Sequence, residues 1–169
     1  MWLIVLTACS VDKQDSTLDT ELLTPCEQTA RDALTYEIGT GEATFEPLVD
    51  GAPLPFNLGP QGGWHVFGSF RATGVLPGDP EDFANPDNPT VSFQVSQGGA
   101  SLGGYTDLPR PMDPAEGGGW EIVGDTLVLD ISEPEEIDGT PALLWVSFLD
   151  GCGTLLEDAR EVLLYDGDA

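Results

Sequence analysis

With thirty acidic residues and one histidine in 169 residues, oxygen ligands are the chemistry this chain holds in surplus. Asp79, Glu81, Asp82 and Asp87 crowd a proline-rich stretch, residues 76–89. Glu133, Glu135, Glu136 and Asp138 crowd a second stretch just before Gly139. Hard cations such as calcium take several oxygen ligands from loops of this composition, so the first set is the candidate calcium site. Neither stretch has the Asp-x-Asp-x-Asp-Gly spacing of an EF-hand, and solvated surface charge is the alternative for both. Paired carboxylates also serve as general acid and base in glycoside hydrolysis. Among so many carboxylates pairs arise by chance, so a hydrolase stays a second alternative.

His65 has no nucleophile elbow of the Gly-x-Ser-x-Gly type to serve as base for. A zinc or copper centre needs more imidazole and thiolate than the chain carries. Strand alternation places His65 with Ser69 and Arg71, where it faces solvent or bonds the glycine loop before it. No catalytic residue is assigned, and the chain reads as a non-enzyme.

The formal net charge is −25, from 30 acidic and 5 basic residues. A field of that sign repels nucleic acid and anionic headgroups. It suits solubility, cations and basic protein partners.

The chain opens Met-Trp-Leu-Ile-Val-Leu-Thr-Ala-Cys. An apolar run ending in Leu6-Thr7-Ala8-Cys9 resembles the lipobox of bacterial lipoproteins. The resemblance implies cleavage before Cys9, which removes residues 1–8, and a diacylglyceryl thioether on the Cys9 sulfur with an acylated N-terminus. Membrane attachment would then be through lipid, each buried methylene contributing about 0.8 kcal/mol. No basic residue precedes Lys13, unlike an ordinary signal peptide; a start codon assigned too far downstream accounts for this. The alternative is a buried N-terminal strand over residues 3–6, with Cys9 an incidental thiol. Residues 9–25 are polar and acidic beyond the cysteine and read as a tether. In lipoproteins of this type, Ser10 after the cysteine is compatible with sorting to the outer membrane. The expected address is the cell envelope.

With Cys9 assigned to lipid, Cys26 and Cys152 remain, an even pair in an oxidising compartment. A disulfide between them is expected, stapling the start of the domain to a turn near its end. A metal site is the alternative, although two cysteines without a neighbouring histidine make a poor zinc set.

The elements that must position these residues read as short strands. Glycine and proline, 21 and 14 of them, punctuate the chain too often for helices. Strands are predicted over 32–38, 43–49 and 53–58, the last two flanking a hairpin signal at Asp50-Gly51. Trp64, Val66, Phe70 and Ala72 alternate with His65, Ser69, Arg71 and Thr73, so the next strand turns its aromatic face inward. Val91, Phe93 and Val95 mark another, and 102–106 a short edge strand. A second hairpin is predicted between 120–123 and 126–131, around Gly124-Asp125. The apolar run 143–149 reads as a central strand covered on both faces. Asp150-Gly151-Cys152-Gly153 turns the chain, 154–160 allows one helical turn, and 161–165 closes the domain. Trp64, Trp120 and Trp145 are expected in the core rather than on a carbohydrate platform.

Turn signals this close together argue for an antiparallel β-sandwich over residues 26–169, with a small barrel as the alternative. The apolar strand, Asp-Gly-Cys-Gly turn and Asp158-Ala159-Arg160 lead-in over 143–165 resemble the last hairpin of bacterial immunoglobulin-like extracellular modules. Gly59-Pro60-Gln61-Gly62-Gly63-Trp64-His65 is similar to a feature of bacterial envelope lipoproteins. The fold expected is therefore all-β, an immunoglobulin-like antiparallel sandwich. The function expected is that of a lipid-anchored, non-catalytic binding or structural module, with a calcium-stabilised adhesion-type module as the first alternative. Loops 76–89 and 108–119 are the expected recognition surfaces.

Overall fold

The computed structural model describes residues 23–168. Cys9, the apolar leader and most of the tether lie outside them. A short helix, α1 (Pro25–Thr29), precedes ten strands: β1 (Thr35–Thr40), β2 (Glu46–Pro47), β3 (Ala52–Leu58), β4 (Trp64–Thr73), β5 (Thr90–Gln97), β6 (Ala100–Pro109), β7 (Asp113–Pro114), β8 (Trp120–Val128), β9 (Pro141–Leu149) and β10 (Leu155–Asp166). No helix among the described residues is long and apolar enough to cross a membrane.

The strands form two packed sheets. In one, β1, β8 and β7 flank the long β4 in the order β2-β1-β4-β8-β7; in the other the order is β3-β10-β9-β5-β6. The adjacency β1-β4-β8-β7 against β10-β9-β5-β6 is that of an immunoglobulin-like sandwich. One pairing departs from the expected antiparallel pattern: β3 runs parallel to β10, Leu54 opposite Leu164. β3 then leaves that sheet and pairs with β4 through Asn57–His65 and Leu58–Trp64. At the other edge a single bridge, Gly103–Leu129, joins β6 to the chain beyond β8. Each margin of the sandwich is thereby sutured over part of its length.

Alternation places the core. Val66, Phe70 and Ala72 of β4 face Val91, Phe93 and Val95 of β5 and Ala142, Leu144, Val146 and Phe148 of β9, all buried. Phe70 stacks on Phe148 across the gap with ring centroids 5.2 Å apart.

Four expectations need correction. Gly124-Asp125 is not a hairpin, because β8 runs through it and pairs with β4 on both sides of a register shift opposite Gly68 and Phe70. Gly124 has φ +72, and a Cβ there would overlap the Glu42 carbonyl oxygen. A left-handed glycine serves a bulge as well as a turn. Asp50-Gly51 does turn the chain, but its flanks belong to different sheets. The Gly51 N–H donates to the Glu161 carbonyl (2.7 Å), and the Asp50 carboxylate accepts the Glu161 N–H (3.1 Å), which pins the crossover. Residues 154–160 form no helical turn; from Leu155 they are the first half of β10, in unbroken register with β9 from Leu155–Leu149 onward. The apolar strand β9 is central but covered on one face alone, with Leu143 and Leu149 exposed on the other.

Gly124→Ala combines left-handed strain with a backbone clash and is expected to destabilise the fold by about 3 kcal/mol or more in urea unfolding. Gly51→Ala has the same sign of φ but open space around the new methyl. It is expected to cost about 1 kcal/mol. Equal costs would remove the bulge argument.

Candidate functional site

The end of the sandwich where β9 turns into β10 carries a connected polar construction. Cys26 and Cys152 are disulfide-bonded, with Cα atoms 5.5 Å apart and 126 residues between them in sequence. The expected staple is in place. Asp150, the first residue of the turn, is buried and fully used. One carboxylate oxygen accepts the N–H groups of Cys152 (2.9 Å) and Thr154 (2.7 Å), and the other accepts the Leu76 N–H (2.9 Å) from the loop after β4. Helix α1 buries no residue; a capping box between Thr24 and Glu27 closes its first turn. The Thr24 backbone and hydroxyl both donate to Glu27 and hold its carboxyl below the usual glutamate range.

The acidic loop 76–89 is built by its own side chains. Asp79 accepts the Glu81 N–H (2.9 Å), Asp82 the Ala84 N–H (3.0 Å) and Asn85 the Asp87 N–H (2.9 Å). These are Asx turns, in which a short carboxylate or amide replaces a backbone acceptor. Buried Asn88 ties them together, accepting from the Asp79 N–H and donating to the Asp82 carbonyl, both at 2.8 Å. The structure does not bring Asp79, Glu81, Asp82 and Asp87 together as a calcium set. Among the described residues no three His, Cys, Asp or Glu side chains are grouped to hold a metal ion. In the second acidic stretch Glu136 accepts the Glu133 N–H (3.3 Å), and Asp138 accepts the Asp166 N–H (3.0 Å).

His65 is half-buried on the outer side of β4, edge-on to Phe67 at 5.0 Å. With Glu42, Pro60, Phe67, Thr126 and Val128 it lines an open groove of about 560 Å³. Ser69, on the same strand, is fully buried. Its hydroxyl donates to the Gly41 carbonyl (3.4 Å) and accepts the Gly124 N–H (3.2 Å), so it locks the bulge.

A polar clasp missed in the sequence joins the two sheets. The β8 bulge turns Asp125 inward, where it accepts the Tyr105 hydroxyl of β6 and lies 3.2 Å from the Arg110 guanidinium. Arg110 also covers the Tyr105 ring at 5.6 Å. Burial, reinforced by the Asp125 carboxylate, pushes the Tyr105 phenol well above its ordinary range near 10. Asp125 next to a glycine carried a turn signal, which hid its inward direction.

The outer face of the β3-β10-β9-β5 sheet carries five of the twelve exposed large hydrophobic residues among those described. Leu143, Leu149, Leu155, Leu163 and Tyr165 are each 38–58% exposed. The register sets Trp145 between Ala159 and Gln94 in their midst. Trp64 and Trp120 pack against the core as expected, whereas Trp145 belongs to this outward face. At one end a depression of about 500 Å³ is lined by Ser96, Gly98, Gly99, Pro141, Leu143 and Glu161. No family model, curated protein or solved structure matches this chain.

Replacing Cys26 and Cys152 by serine lifts a restraint on the unfolded chain, which for so long a loop amounts to about 5 kcal/mol of chain entropy. Because α1 buries nothing, it gains freedom in the native state too. The expected loss is therefore about 2–4 kcal/mol by denaturant unfolding. For Tyr105 the native state favours the neutral phenol. Its contribution is intact below the unfolded pKa near 10 and is lost as pH rises beyond it. The difference in tyrosinate absorbance between the native protein and Tyr105→Phe should stay flat through about pH 10.5. A step near 10 would show that the clasp leaves Tyr105 open to water.

Proposed function

We propose that the protein is a lipid-anchored cell-envelope protein whose β-sandwich is a non-catalytic binding module. The observation that carries the reading is the Cys26–Cys152 disulfide. It takes two of the three cysteines and leaves Cys9 as the one that follows the apolar leader. Disulfides persist in oxidising compartments, which supports export. The polar interior contacts of Asp150, Asn88 and Ser69 are each explained by support of the backbone, so they do not ask for a reaction. The face around Trp145 supports binding, since exposed apolar residues gathered on one face mark a recognition surface.

The anchor is tested on the native product. Mass spectrometry is expected to find residues 1–8 removed and acyl mass on Cys9, and the protein should partition with membranes. Cys9→Ala should move it to the soluble extracytoplasmic fraction. Retention of Met1 on a soluble cytosolic product would overturn the reading.

A further inference from the structure

We infer that the outer face of the β3-β10-β9-β5 sheet docks a cationic amphipathic protein segment, with the depression beside the Gly98-Gly99 turn as its anchor point. The inference deepens the binding-module reading and does not depend on the lipid. Its first support is composition. Leu143, Trp145, Leu163 and Tyr165 form an apolar field, and Glu157 and Glu161 project from the same side of β10. Both glutamates are exposed, and among the described residues neither takes part in an ion pair or a side-chain hydrogen bond.

The second support is the absence of counter-charge. Of the four arginines in the described residues, Arg71, Arg110 and Arg160 are each committed to a carboxylate (Glu121, Asp125 and Asp158), and the exposed Arg31, between α1 and β1, lies outside the strands of the face. Arg160 sits on the inward side of β10, opposite Leu144, and donates to the Leu48 carbonyl (3.3 Å). The strands of the face therefore turn no basic residue outward, and the charges they do turn outward are Glu157 and Glu161. A second copy would bring apolar surface but set glutamate against glutamate, and an anionic lipid surface would be repelled outright. The occupant must supply cations together with apolar side chains.

Geometry supplies the third support. Glu157 and Glu161 are about 13 Å apart along the strand. Glu161 and Leu143 are directly opposite across β10 and β9, and both line the depression. A lysine or arginine entering there meets the Glu161 carboxylate while its methylene stem lies on Leu143, as long cationic side chains favour. The partner's apolar residues then cover Trp145 and Leu163.

The test uses the full chain and a fluorescently labelled helical leucine–lysine peptide. Anisotropy should report saturable binding. Glu157→Gln/Glu161→Gln should weaken it about fivefold or more, and Leu143→Ser/Leu163→Ser by a similar factor. A charge-matched control, Glu37→Gln/Glu46→Gln, removes two exposed carboxylates on β1 and β2 of the other sheet and should leave affinity unchanged. Equal weakening in the control would reduce the binding to diffuse attraction by a −25 protein and overturn the proposal. No binding would overturn it as well, leaving the N-terminal mass result to decide the anchor on its own. A dimer in sedimentation that dissolves with Leu143→Ser/Leu163→Ser would assign the face to a second copy instead. Equal binding of anionic vesicles would assign it to lipid, again against the proposal.

Discussion

Phe70 of one sheet lies flat against Phe148 of the other, and the rest of the fold is organised to keep such rings facing inward. Burying an aromatic ring contributes about 1.5–3 kcal/mol, and a sheet gains it only if every second residue points the same way. On β8 strict alternation would turn Ile122, Gly124, Thr126 and Val128 inward together. The structure instead buries Ile122, Leu127 and Leu129. The bulge at Gly124 changes the parity, so residues before and after it both serve the core. Its cost is an inward carboxylate at Asp125. Tyr105 and Arg110 satisfy that charge, and the satisfied group becomes the inter-sheet clasp at the sandwich margin. Packing thus explains the glycine, the glycine explains the aspartate, and the aspartate explains the tyrosine.

The open margin between β1 and β10 is handled by similar means. β3 covers the second half of β10, from Val162 to Asp166, and leaves the first half as an edge. Asp158 and Arg160 point inward there as an ion pair, a device that keeps an edge strand from adding another chain. Acidic side chains elsewhere do backbone work: Asp50 holds the sheet crossover, Asp79 and Asp82 form turns, Asp138 caps β10, and Asp150 builds the final turn. Part of the chain's acidity is therefore committed to its own N–H groups. Glu157 and Glu161 have no such task, and the register of β10 sets them on the same outward side as Leu163 and opposite Ser147 and Leu143.

What could be read from the sequence was local. Period-two alternation fixed the inward face of β4 and β5, because each side chain reports its own direction. Asp150-Gly151-Cys152-Gly153 was legible as a turn, and the cysteine pair as a staple, because both signals sit in a few residues. Three features were not legible, each for a physical reason. Glycine at positive φ gives the same signal in a turn and in a bulge, so Gly124-Asp125 read as a hairpin and the clasp was missed. The run 143–149 is apolar at every position but Ser147, so nothing in it separates a strand buried on both faces from one that offers a face to a partner. The crossover from β2 to β3 at Asp50-Gly51 is pinned by Glu161, more than a hundred residues away in sequence, and no local pattern carries that distance.

The staple also decides how the module is presented. Helix α1 buries no side chain, so packing contributes little to holding it in place, and the link to Cys152 supplies the attachment. A chain arriving through residue 26 is thus held at the β9–β10 turn, whatever precedes it. From that turn β9 runs back about 30 Å to Pro141, beside the depression and the Gly98-Gly99 turn. Under the proposed lipid anchor, the membrane-side end of the sandwich is the rigid one, fixed by Asp150, the loop 76–89 and the disulfide. The acidic, apolar face then extends away from the anchor, with its depression at the far end. An anionic bilayer and a strongly acidic domain repel each other, which keeps that end outward without any further contact. Under that anchor, attachment and exposure of the face would follow from one covalent bond and one sign of charge.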